Sequence, residues 1–163
     1  MLFLPLFLAI ITSFTRDSIP SAETLVPPPG VNKTVLLQLV NDARKKGCRC
    51  DGTWYPPVAP LSWNNQLERA AYGHSSDMFR NKYFSHTGSD GSGTGERMTK
   101  AGYNWRFYGE NIAQGYSSEK EVVAGWLSSP GHCANIMSKN YREMAVARVG
   151  DYWTQDFGSP LSH

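Results

Sequence analysis

Residues 118–158 read SEKEVVAGWLSSPGHCANIMSKNYREMAVARVGDYWTQDFG, and two periodicities meet within that stretch. Ser118, with Glu121 three residues on, is a capping box. It opens a helix whose apolar residues Val122, Val123, Trp126 and Leu127 gather on one face. Pro130-Gly131 ends that helix. Glu143 to Val149 and Tyr152 to Phe157 then read as two strands joined by a two-residue Gly150-Asp151 turn. Helix followed by hairpin predicts an α+β chain, with helices packed on a largely antiparallel sheet.

Further upstream the helical period dominates. Val35, Leu36, Leu39, Val40 and Ala43 form an apolar stripe over Lys33 to Lys46, which Gly47 stops. A Pro-rich connector, Tyr55 to Pro60, leads to Leu61-Ser62-Trp63. A second helix follows, with Asn65 as N-cap and Glu68 three residues on. Leu67, Ala70, Ala71, His74 and Met78 form its buried face, so His74 reads as a packed histidine with one hydrogen bond. A Gly/Ser-rich loop from Gly88 to Gly95 precedes a short helix that ends at Ala101-Gly102.

The 163 residues are 40% hydrophobic and 18% charged, with a net charge of +2. This describes one packed domain, not a disordered chain. The near-neutral balance argues against nucleic acid as a partner. No apolar run reaches the roughly 18–20 residues that span a bilayer, so no stable transmembrane anchor is expected. Met1 to Phe14 is almost wholly apolar and has the length of a signal-peptide core. Residues 1–22 are therefore read as an export signal, 23–33 as a Pro-rich linker and 34–160 as the domain, in a secreted or periplasmic protein.

Three cysteines, Cys48, Cys50 and Cys133, suit an oxidising compartment, with one disulfide and one thiol left over. A bridge from either early cysteine to Cys133 closes a loop of about 85 residues, worth roughly 4–5 kcal/mol of chain entropy. Cys50 is the favoured partner because it begins the connector, whereas Cys48 abuts the helix end. Cys48 to Cys133 is the alternative. As half of a zinc site, Cys48-x-Cys50 is spaced more tightly than usual, and only one further cysteine exists.

Zincin, P-loop and nucleophile-elbow motifs are absent. Gly91-x-Gly93-x-Gly95 follows no predicted strand and reads as a loop. What remains are His86, Glu110 and His132, each at a loop or helix edge among small neighbours. Two His and one Glu match the ligands of some catalytic zinc sites, with Ser85, Asn111 and Ser129 as candidates to orient them. Ser129 beside His132 is the one tempting nucleophile–base pair. Around the loops cluster Tyr83, Phe84, Tyr103, Trp105, Phe107 and Tyr108, a binding surface if exposed and core if not.

Read in order, several segments resemble the CAP superfamily of cysteine-rich secretory, antigen 5 and pathogenesis-related proteins. They are Asn41-x-x-Arg44, Leu61-Ser62-Trp63-Asn64 with Leu67-x-x-Ala70-Ala71, Gly109-Glu110-Asn111-Ile112-Ala113, Trp126-Leu127-Ser128-Ser129 and Tyr152 to Gly158. His74 to Met78, Phe84-Ser85-His86 and Ser129-Pro130-Gly131-His132-Cys133 are similar to the short bacterial form. The resemblance implies a three-layer α-β-α sandwich whose cleft holds two His, here His86 and His132, and two acids, the first at Glu110. The second acid would fall at Ser129, leaving two imidazoles and one carboxylate. Val40 and the Ala145-Val146-Ala147 strand also depart from the pattern, in ways that spare the fold.

The resulting expectation is a monomeric extracellular binding module for an unidentified lipid, glycan or protein. Its cleft would hold zinc through His86, His132 and, as a third ligand, Glu110. The alternatives are a secreted hydrolase using His86, Glu110 and His132, with Ser129 as its nucleophile, and a lipid or sterol carrier.

Overall fold

The computed structural model of the protein describes residues 30–161. The export signal at 1–22 and most of the 23–33 linker lie outside those residues. The elements are α1 (Lys33–Lys46), β1 (Cys48–Cys50), β2 (Thr53–Tyr55), β3 (Ser62–Trp63), α2 (Asn65–Asn81), α3 (Thr94–Lys100), β4 (Trp105–Gln114), α4 (Glu119–Ser128), α5 (Pro130–Ile136), β5 (Glu143–Val149) and β6 (Tyr152–Pro160). The main sheet runs β3-β5-β6-β4, and β1-β2 form a separate hairpin. Among the described residues only the short β3–β5 pairing is parallel; β5–β6 and β4–β6 are antiparallel.

The alternation of strand side chains builds the layers. Met144 and Val146 of β5 and Trp153 and Phe157 of β6 join a core with Leu36 and Val40 of α1, Val122, Val123 and Trp126 of α4, and Ile136 of α5. Ala145 turns the other way and packs with Leu67 and Ala70 of α2 and Met98 of α3. Small residues at Ala145 and Ala147 allow α2 to lie close to β5, and Ser75 of α2 donates to Thr154 Oγ1 of β6 at 2.8 Å. The sheet thus lies between α1, α4 and α5 on one face and α2 and α3 on the other, the expected three-layer sandwich.

Asn41 and Arg44 fasten the connector to this frame. Asn41 exchanges two hydrogen bonds with the Leu61 backbone, at 2.8 and 2.9 Å. The fully buried Arg44 guanidinium donates to the carbonyls of Ala59, Ile136 and Ser138 at 2.6–2.9 Å. Burial, then the neighbouring Arg142 charge, lowers its pKa to about 10. One cation therefore ties α1 to both the connector and the end of α5.

Four local expectations differ from the structure. The cap of α2 is Asn64: its backbone is extended, and its side chain accepts from Gln66 N and Leu67 N. Pro130 begins α5 rather than only ending α4, because proline suits a first helical position and Ser129 supplies the extended break. His132 is therefore helical. Trp105 to Gln114 is a ten-residue strand, so Glu110 sits mid-strand and not at a loop edge. The β1–β2 hairpin precedes the connector, turning at Asp51-Gly52, where both residues have positive φ.

Candidate functional site

Glu110 is the hub. On the edge strand β4 it pairs with Asp156 of β6, and its side chain is 2% exposed. Oε2 accepts from Arg97 Nη2 of α3 at 2.6 Å, and Oε1 accepts from His86 Nδ1 at 2.7 Å. Burial opposes the Glu110 carboxylate, but the His86 hydrogen bond and the Arg97 charge outweigh it and hold its pKa below the ordinary value. Gly109 has no side chain for a reason: a Cβ there would meet the Tyr141 ring, and the Tyr141 hydroxyl donates to Tyr108 O at 3.0 Å.

The loop carrying His86 is pinned on both sides. His74, fully buried on α2, donates from Nε2 to Ser85 O at 2.8 Å. On the far side, Asp77 accepts from Ser89 N at 2.8 Å, from Ser89 Oγ at 2.6 Å, and from the Tyr83 hydroxyl. Burial opposes the Asp77 charge, yet these donors drive its pKa far below the usual range; burial and Asp77 together push the Tyr83 phenol up to about 12. The loop is thus a rigid mount for an imidazole whose side chain is 55% exposed.

His132 comes from the opposite helical layer. Asn111 of β4 donates to His132 O at 3.2 Å and to Gln155 Oε1 at 3.0 Å, while Asn135 donates to Glu110 O and to Asn111 Oδ1. Asn111 therefore positions the His132 backbone, not its ring. Burial lowers the His132 pKa, and the charge of His86 acts in the same direction.

The second acid is Asp156, a residue the sequence reading did not select. It is 1% exposed, and its Oδ1 has no partner. Burial first, then the adjacent Glu110 charge, raises its pKa well above the ordinary value. Two carboxyl groups therefore face each other on neighbouring strands beside Arg97, Glu110 with a lowered pKa and Asp156 with a raised one. Arg97 was missed as well; its place one turn into a short surface-type helix carried no sign of burial.

Ser129 lies at the α4–α5 junction, where its carbonyl accepts from Cys133 N at 2.8 Å. Among the described residues no hydrogen bond joins Ser129 Oγ to His132, so the nucleophile–base pair is not assembled. Cys50 and Cys133 are bridged, with Cα atoms 5.6 Å apart, and Cys48 is free. Of the six aromatics, Phe84, Phe107 and Tyr108 are exposed, Tyr83 and Trp105 half-buried, and Tyr103 buried. No helix among the described residues is long and apolar enough to cross a membrane.

As a metal site the donor set is open. Among the described residues, the one group of three or more potential ligands whose donor atoms lie within 4.8 Å of one another is Cys48, Cys50 and Cys133. His86, Glu110 and His132 do not make such a group: their donor atoms do not all lie within 4.8 Å of one another. Since a carboxylate only accepts, His86 donates from Nδ1, which leaves Nε2 as the ring nitrogen not held by Glu110. A carboxylate holding one ring nitrogen while the other is left for a cation is the usual support of a metal-bound histidine. Glu110 holds the His86 ring; among the described residues it makes no hydrogen bond to the His132 ring.

The sequence model of the cysteine-rich secretory protein family, CAP, matches residues 37–157. The chain is 35% identical over 102 residues to YkwD, an uncharacterized protein of Bacillus subtilis, and 34% identical over 100 residues to YlbC, an uncharacterized membrane protein of the same organism. Each match covers 61% of this chain, but 40% of YkwD and 29% of YlbC. An extracellular protein containing an SCP domain from Bacillus anthracis superposes with a TM-score of 0.64 at 28% identity, over 77% of this chain and 41% of that one. An outer surface protein of Borrelia burgdorferi also gives 0.64, at 20% identity, over 78% and 91%. This last likeness speaks to the fold alone.

Proposed function

The chain belongs to the cysteine-rich secretory protein family, and from that premise we propose that it is an extracellular binding module whose cleft holds a divalent cation, zinc by ligand type, on His86 and His132. The observation that carries the reading is the 2.7 Å contact from His86 Nδ1 to Glu110 Oε1, which aims Nε2 away from that carboxylate. Neutral imidazoles are the commonest nitrogen ligands of zinc, and burial keeps His132 neutral more readily than a free histidine. Two protein ligands leave the remaining coordination positions to water or to donors on a bound partner. Exposed Phe84, Phe107 and Tyr108 lie within two or three residues of His86 or Glu110 and offer apolar contact area around the site. An extracellular location agrees with the SCP-domain neighbour from Bacillus anthracis.

A binding role is favoured over turnover because, among the described residues, Ser129 and His132 are not hydrogen-bonded and that nucleophile–base pair is not assembled. The test is an NMR titration of imidazole-labelled protein with zinc chloride. Of the four histidines, His86 and His132 shift while His74 stays unmoved. Equal shifts at His74, or none at His132, would refute the assignment.

A further inference from the structure

Cys48 and Cys50 lie two residues apart on β1, so both side chains project to one face of the hairpin, the face toward Cys133 on α5. Cys50 is bonded to Cys133, yet the third sulfur is not remote. Cys48 Sγ lies 3.3 Å from Cys133 Sγ and 3.7 Å from Cys50 Sγ. Cys50 and Cys133 are 4% and 0% exposed, whereas Cys48 is half-buried. Solvent therefore reaches this centre through Cys48.

From this geometry we infer that the three sulfurs form a thiol–disulfide exchange centre in which Cys133 takes either Cys50 or Cys48 as its partner. The Cys48 thiolate attacks Cys133 Sγ. A Cys48–Cys133 bond forms as the Cys50–Cys133 bond breaks, and the electron pair leaves on Cys50. Cys50 takes up from water the proton that Cys48 released. Nothing is oxidised or reduced overall, so no external redox partner is required.

The two similar distances put Cys48 beside the bond and not in line behind it, so the Cys48 side chain must swing before attack. The hairpin permits this because β1 and β2 pair only with each other; moving them breaks no hydrogen bond of the main sheet. Ring size does not choose between the isomers, since the bridged residues are 83 or 85 positions apart. Burial raises the Cys48 pKa, which keeps the thiol protonated near neutrality and makes exchange faster as pH rises. The consequence is a concealable thiol: one isomer presents Cys48 to solvent, and the other leaves the free thiol on buried Cys50.

The unreduced protein is incubated at pH 7 and pH 8, then unfolded in guanidinium at pH 5 with N-ethylmaleimide and mapped by mass spectrometry. Label on Cys50 should reach at least about a tenth of the total, since loop length favours neither isomer. It should rise about tenfold faster at pH 8, following the thiolate fraction. Label confined to Cys48 after long incubation at both pH values overturns the proposal. In a glutathione redox buffer, Cys50→Ser should form the Cys48–Cys133 bridge; two free thiols in a variant with native circular dichroism would overturn it equally. Should that variant not fold, the wild-type labelling decides.

Discussion

Replacing Arg97 by Met removes the one permanent cation from the hub while keeping most of the side-chain volume. In the wild type Arg97 Nη2 lies 2.6 Å from Glu110 Oε2, with side chains 11% and 2% exposed. The variant leaves Glu110 with the His86 hydrogen bond and the His74 ring 3.9 Å away, facing Asp156 across the β4–β6 pair. Removing one partner of a buried ion pair costs about 3–5 kcal/mol; because His86 still donates, we expect the lower end, about 3 kcal/mol. With an m of roughly 1.5–2 kcal/mol/M, the urea midpoint falls by about 1.5–2 M. The sign with pH follows. Wild-type Glu110 has a depressed folded pKa, so it contributes stability above its unfolded pKa and loses it as pH falls through the folded value. Without Arg97, burial dominates and raises the folded pKa, so the carboxylate costs stability at pH 7 and less as it protonates. The deficit of Arg97→Met should be largest at pH 7 and shrink toward pH 4.5. A deficit below 1 kcal/mol, or one independent of pH, would show that the pair does not organise the cleft.

Three further outcomes follow from the same contacts. Arg44→Met strips four charge-assisted bonds from the carbonyls of Ala59, Ile136 and Ser138 and should cost about 3 kcal/mol or more by urea unfolding; a loss under 1 kcal/mol would contradict the role given to this side chain. Asp156 has a raised folded pKa, so its burial penalty is absent below the unfolded pKa and grows as pH rises toward the folded one. Asp156→Asn should therefore match or exceed wild-type stability at pH 7, with the difference vanishing near pH 4, and a loss above about 2 kcal/mol at pH 7 would mean that the charged form is required. Reducing the Cys50–Cys133 bridge with dithiothreitol should remove about 4–5 kcal/mol of loop-closure stabilisation, and an unchanged urea midpoint would refute that estimate.

Where one residue pattern carried both period and punctuation, the sequence was legible. The buried face of α2 and the Gly150-Asp151 hairpin appear in the structure as read; of the α1 stripe, Leu36 and Val40 are buried, but Val35 is exposed and the buried Arg44 joins the face instead. The strand β4 was not legible, because Gly109-Glu110-Asn111 breaks its apolar alternation with polar groups that the fold satisfies from both helical layers. The break at Pro130 was misread for a related reason: proline ends one helix and begins the next, and only the extended Ser129 backbone shows which. At the site, His86, Glu110 and His132 could be named from their small neighbours and the resemblance. Arg97 and Asp156 could not. A buried acid in a strand reading Trp153-Thr154-Gln155-Asp156-Phe157 looks like its polar face until the β4 register sets it opposite Glu110.

The central claim is that Glu110 orients His86 while the two imidazoles bind the cation. Calorimetric zinc titration of wild type, His86→Ala, His132→Ala and Glu110→Gln tests this in one series. The expected result is 1:1 binding of about micromolar strength in the wild type and none in either His variant. Glu110→Gln should retain binding weakened by about 10–100-fold, the usual cost of losing a carboxylate that orients a metal ligand. A folded wild type that binds no zinc, or binding that survives loss of either histidine, would contradict it.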